Sequence, residues 1–148
     1  MPMRMRITKR IIKKLLIDLT KEYQVRLHFN TDRTSVGSAR YWSNSISINT
    51  NQSALGMLST FFHEMGHIYC WNNSLWKSFH INKPIEKLTK KEKRKYILTA
   101  LKAERWVDNW AKKEMSKHFP HLKYLDGYLS KESGDQFTKE IKKELKYE

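Results

Sequence analysis

Cysteine is nearly absent from this chain. Cys70 stands alone, so no internal disulfide can form. That fits a reducing compartment and predicts a cytoplasmic protein. Long apolar runs are missing too. No segment approaches the roughly 20 apolar residues of a membrane span, so no transmembrane segment is expected. The basic opening stretch lacks the apolar block of about 7–15 residues that follows in a secretory signal. It reads instead as the lead-in to a first helix. Internal repeats, low-complexity tracts and long linkers are also lacking. Residues 1–148 are therefore expected to form one domain with one core.

Acidic residues are scarce as well. Fifteen Asp and Glu face 29 Lys and Arg, for a net charge of +14. Such an excess attracts polyanions: nucleic acid, an acidic protein or an anionic membrane surface. A lysine coat that only keeps the chain soluble is the plain alternative.

What is present is patterned. Ile11, Ile12, Leu15, Leu16, Leu19 and Tyr23 fall on one stripe of a helix over 7–23, with lysines and arginines opposite. Residues 25–29 (VRLHF) alternate like a strand. Residues 39–42 (ARYW) and 45–49 (SISIN) read as a hairpin turning at Ser43–Asn44. A helix capped by Asn51 or Ser53 then runs to about Trp71. Thr89 and Glu92 form a capping box opening a long helix that must stop before Pro120. Asp126–Gly127 marks a turn, and a short helix follows Gly134. The expected class is α+β, with about three short strands.

The stretch FFHEMGHIYCW, residues 61–71, carries the chemistry. His63 and His67 are four apart, so on a helix they share a face and can converge on one metal ion. Glu64 lies about 100° round from His63. Its carboxylate then stands beside the metal, where it can take a proton from a zinc-activated water. Gly66 removes a side chain where another element must pass closely. A buried helix that merely carries two histidines is the bland reading. The apolar helical context, shortly after a strand, favours a Zn2+ site.

Catalytic zinc needs a third protein ligand. A histidine six residues after His67 is excluded, because Asn73 stands there. His80 and Glu104 remain. Glu104 shares an otherwise apolar helix face with Ile97, Ala100, Leu101, Val107, Asp108 and Ala111, where an unpartnered carboxylate would be costly. Asp108, one turn on, can accept the free N–H of a ligating histidine. Simple charge compensation by nearby lysines is the alternative for both acids.

Residues 45–67 (SISINTNQSALGMLSTFFHEMGH) and 103–111 (AERWVDNWA) together resemble the ImmA/IrrE-type zinc metallopeptidases, small gluzincins often carried by phages and mobile elements. The resemblance covers roughly residues 37–111. Val107 and Trp110 stand where that family usually has Ala and Phe. The resemblance implies a small zincin-like fold with His63, His67 and Glu104 as zinc ligands. It also implies Glu64 as general acid/base, Asp108 supporting a ligand, and a protein or peptide substrate. A competing resemblance, to SprT-like proteases that act on DNA-bound proteins, would use His80 as third ligand. A third possibility is a non-enzymatic basic nucleic-acid- or protein-binding domain with a structural or vestigial zinc site.

In a peptidase the strand SISIN is expected to be the edge on which an extended substrate pairs. An oxyanion donor is expected among Tyr96, His80, His118, Tyr124 and Tyr128. The basic start of the long helix, Lys90, Lys91, Lys93 and Arg94, is the expected nucleic-acid contact.

Overall fold

The computed structural model describes residues 7–31, 36–75 and 84–125, with Lys139 and Lys143. The turn at Asp126–Gly127, the helix expected after Gly134, and His80 and Tyr128 lie outside the described residues. Among the described residues the architecture is α+β, with three full helices and a small three-stranded sheet.

Helix α1 spans Lys9–Tyr23. Thr8 caps it, its hydroxyl accepting from Ile11 N, and Gln24 ends it in a left-handed conformation at φ 55°. Its apolar stripe buries Ile12, Leu16 and Leu19. Strand β1 (Arg26–Asn30) follows, then β2 (Gly37–Arg40), a 3-10 turn (Tyr41–Ser43) and β3 (Ser45–Asn49). Asn44, at φ 49°, makes the left-handed step into β3. The hairpin forms as β2–β3, but only Ala39 and Arg40 of the expected first strand belong to it; residues 41–43 turn instead.

Strand order is β1–β3–β2, with β1 parallel and β2 antiparallel to β3. The expectation that SISIN is an edge is therefore wrong. It is the central strand, hydrogen-bonded on both sides, and its Ile46 and Ile48 are fully buried. Among the described residues the edge strands are β1 and β2.

Helix α2 (Ala54–Asn72) is capped by Ser53, whose Oγ accepts from Gly56 N. It is buried continuously from Gly56 to Gly66 because it lies between the sheet, α1 and a third helix, α3 (Lys90–His118). Met57, Leu58, Phe61, Phe62, Met65 and Ile68 form the centre of one core. Ile12 and Leu16 meet them from α1, Ile46 and Ile48 from β3, and Ala111 and Met115 from α3. Tyr23 ties α1 to α3: its hydroxyl donates to Glu114 Oε1 at 2.8 Å and lies 2.8 Å from His118 Nε2. The capping box forms as expected, with Thr89 and Glu92 each bonding the other's backbone N–H. Helix α3 ends at His118, two residues before Pro120. Among the described residues, no helix is long and apolar enough to cross a membrane.

Candidate metal centre

Helices α2 and α3 meet where α2 lacks a side chain. A Cβ on Gly66 would stand 2.8 Å from Val107 Cγ1 and 3.2 Å from a ring carbon of Trp110. The missing methyl lets α3 approach closely, and that approach brings Glu104 opposite the two histidines.

His63 and His67 lie one turn apart, their ring centroids 5.0 Å from each other. Glu104 bridges them. Its Oε2 is 3.1 Å from His63 Nε2 and its Oε1 is 3.4 Å from His67 Nε2. Ligand atoms about 2.0–2.1 Å from a tetrahedral zinc stand roughly 3.3 Å apart. Taking one ligand atom from each residue, all three lie within 4.8 Å of one another, close enough for small side-chain adjustments to reach that spacing. Glu104 Oε2 is also buried and has no hydrogen-bond partner among the described residues, despite its short distance to His63. Two nitrogens and a carboxylate oxygen are a donor set that suits Zn2+. These three residues can therefore hold a metal ion.

Behind His63 the arrangement is specific. Asp108 is fully buried, and its Oδ1 lies 2.9 Å from His63 Nδ1. The Tyr124 hydroxyl donates to that same Oδ1. An Nδ1–H donated to Asp108 leaves the Nε2 lone pair turned toward Glu104. Tyr124 is held in turn by its neighbour: Leu125 N donates to Ser59 Oγ on α2 at 2.9 Å.

The charges shift one another. Burial pushes His63 down, but Asp108, Glu104 and Glu64 outweigh it and hold the metal-free imidazole up at about 10. Burial pushes Glu104 up, yet His63 and His67 more than offset this and hold it at about 2. Glu64 is raised by its burial, against the pull of His67 and His63.

Glu64 lies beside the start of β2. A Cβ on Gly37 would stand 3.6 Å from Glu64 Cγ, while meeting Thr60 and the Ser47 carbonyl still more closely. Gln52 fixes that strand end: its Nε2 donates to Val36 O, and its Oε1 accepts from Thr60 Oγ1.

The structure separates the oxyanion candidates. Tyr124 is buried behind His63, bonded to Asp108, so it backs a ligand and does not face a substrate. His118 packs against Tyr23 and Phe62 at the far end of α3. Tyr96 is half-buried on α3, about 12 Å along the axis from Glu104 at 1.5 Å per residue. His80 and Tyr128 are outside the described residues. No sequence signal marked Tyr124 as the partner of Asp108, because the segment after Pro120 has no periodicity. Lys90, Lys91 and Arg94 are exposed and Lys93 is half-buried, roughly 15–21 Å along the helix from Glu104.

Compared with known protein families, with curated proteins and with solved structures, the chain finds no match.

Proposed function

We propose that this chain is a zinc-dependent metallopeptidase of the small gluzincin type, similar to the ImmA/IrrE-type enzymes, acting on a protein or peptide. One observation carries the proposal. His63, His67 and Glu104 bring one ligand atom each within 4.8 Å of one another, beside a glutamate, Glu64, that the set does not use. When bound there, zinc supplies polarisation of a peptide carbonyl and lowers the pKa of a coordinated water toward about 7.

The chain's own residues supply the rest. His63 is held in one orientation by Asp108, which is itself held by Tyr124. Glu64 takes the proton of the attacking water and returns it to the leaving amine nitrogen. Its burial favours the protonated carboxyl, which makes the carboxylate a stronger acceptor and suits it to both transfers. An extended substrate pairs on the free edge of β2, since β3 is occupied on both sides and β2 begins beside Glu64.

The test is a comparison of the parent with Glu64→Gln. Zinc content is expected to be one per chain in both. Casein cleavage is expected in the parent and reduced by orders of magnitude in the variant, because the ligands remain and the proton carrier is gone. A variant that cleaves as fast as the parent, or a parent that retains no zinc, would overturn the proposal.

A further inference from the structure

Helix α3 turns Glu104 and Asp108 inward. Its outward face is different. At 3.6 residues per turn, Lys91, Arg94, Lys95, Lys102, Arg105, Lys112 and Lys113 fall within an arc of roughly 100°. All of them are exposed. Among the described residues, none of them pairs with a carboxylate.

The four acids of α3 all lie off this arc, and each is engaged. Glu92 belongs to the capping box, Glu104 and Asp108 face the histidines, and Glu114 bonds Tyr23 and Lys117. Between the cations the stripe carries only Leu98 and Asn109. Helices that are merely solubilised tend to alternate charge signs, since like charges at i,i+3 and i,i+4 repel. Helix α1 does mix them, carrying Asp18 and Glu22 among its cations. The expected contact at Lys90, Lys91, Lys93 and Arg94 is thus divided by the helix: Lys91 and Arg94 join the stripe, while Lys90 and Lys93 turn off it.

We infer that this face of α3 binds duplex DNA along its phosphate backbone, without reading sequence. The inference does not depend on zinc or on peptidase activity. From Lys91 to Lys113 the stripe is about 33 Å long at 1.5 Å per residue. One turn of B-DNA is close to that, at about 34 Å. A straight run of cations about one turn long can lie along one side of the duplex and meet phosphates of both strands where they cross that side, and each contact releases condensed counterions. A single strand would need aromatic rings to stack its bases, and the stripe has none. A membrane surface would need a free apolar helix face, but that face of α3 is occupied by the core.

The experiment measures binding of the full chain to a fluorescent duplex of about 20 base pairs, two helical turns, by anisotropy. Salt is varied from about 50 to about 200 mM, where phosphate contacts weaken steeply. The stripe variant Arg94→Gln, Lys102→Gln, Lys113→Gln is compared with Arg10→Gln, Lys14→Gln, Lys21→Gln on α1, which removes the same charge. The stripe variant should lose at least about tenfold in affinity, and its log–log salt slope should flatten by about 2–3. The α1 variant should keep the parent slope. Equal losses in both variants would reduce the stripe to part of a general basic coat and overturn the inference. So would a parent that fails to bind the duplex at the lowest salt, or that binds polyglutamate as tightly, which would indicate an acidic protein partner.

Discussion

His63 and Asp108 meet across 45 residues of chain, with Nδ1 and Oδ1 2.9 Å apart. The aspartate is fully buried and shares that oxygen with Tyr124. The contact joins α2 to α3 and selects which imidazole nitrogen faces Glu104. A carboxylate so placed also makes the imidazole a better ligand.

Asp108→Asn keeps the shape and an accepting oxygen but removes the charge. Zinc affinity is expected to fall about 10–100-fold. Tyr124→Phe removes one donor to the same carboxylate and should cost less. Competition against a chromophoric chelator measures both. Unchanged affinity in Asp108→Asn would show that Asp108 has no influence on the ligand.

Glu104→Ala should lose stoichiometric zinc, while His80→Ala should retain it. The ground is the geometry of Glu104, which spans both histidines. Metal analysis of the purified variants decides. Zinc kept by Glu104→Ala and lost by His80→Ala would make His80 the third ligand.

Much of this site was legible because it rests on helical spacing. The four-residue step from His63 to His67 needs no tertiary information, and neither does an acid on the apolar face of α3. The caps at Ser53 and Thr89 were legible for the same local reason. Sheet order was not. SISIN alternates apolar and polar residues whether it is paired once or twice, and only packing makes it central. Tyr124 was illegible as a partner of Asp108 because its position depends on Leu125 N reaching Ser59. Adjacent lysines such as Lys90 and Lys91 look like one patch in a sequence, yet they sit about 100° apart on a helix.

Gly66→Ala should destabilise the chain. In an exposed helix that change would stabilise by about 1 kcal/mol through propensity. Here the new methyl would stand 2.8 Å from Val107 Cγ1 and 3.3 Å from Val107 O. Overpacking of this kind costs about 1–3 kcal/mol, so the net sign reverses. Urea denaturation measures it. In a Val107→Ala background the penalty should shrink, because the nearest clashing methyl is gone. A Gly66→Ala chain more stable than the parent would mean the helices can separate at no cost.

The metal-free chain should be most stable in mild acid. Its His63 is held up at about 10 from an ordinary 6.5 by nearby carboxylates that outweigh its burial. A raised imidazole stabilises the fold fully below the unfolded value, and that contribution is lost as pH climbs through the folded one. Glu104 is held down at about 2 from an ordinary 4.5, where His63 and His67 outweigh its burial. Its contribution is present above 4.5 and lost as pH falls toward 2. The two describe one coupled interaction from opposite sides. From this pair alone stability should plateau between about 4.5 and 6.5 and decline on both sides, by at most about 1.4 kcal/mol per pH unit for one proton. The raised Glu64 adds a loss as pH climbs above 4.5 and sets the maximum toward the acid end. With zinc present the alkaline decline should level out, because a zinc-bound imidazole has no proton for the folded state to lose, and rising affinity offsets the loss seen without metal. Urea midpoints of chelator-treated and zinc-loaded protein, taken across pH 5 to 8, should diverge steadily as pH rises, since metal binding displaces the His63 proton at every pH below about 10. Parallel curves would show that His63 gives up no proton when metal binds, and would remove it from the ligand set.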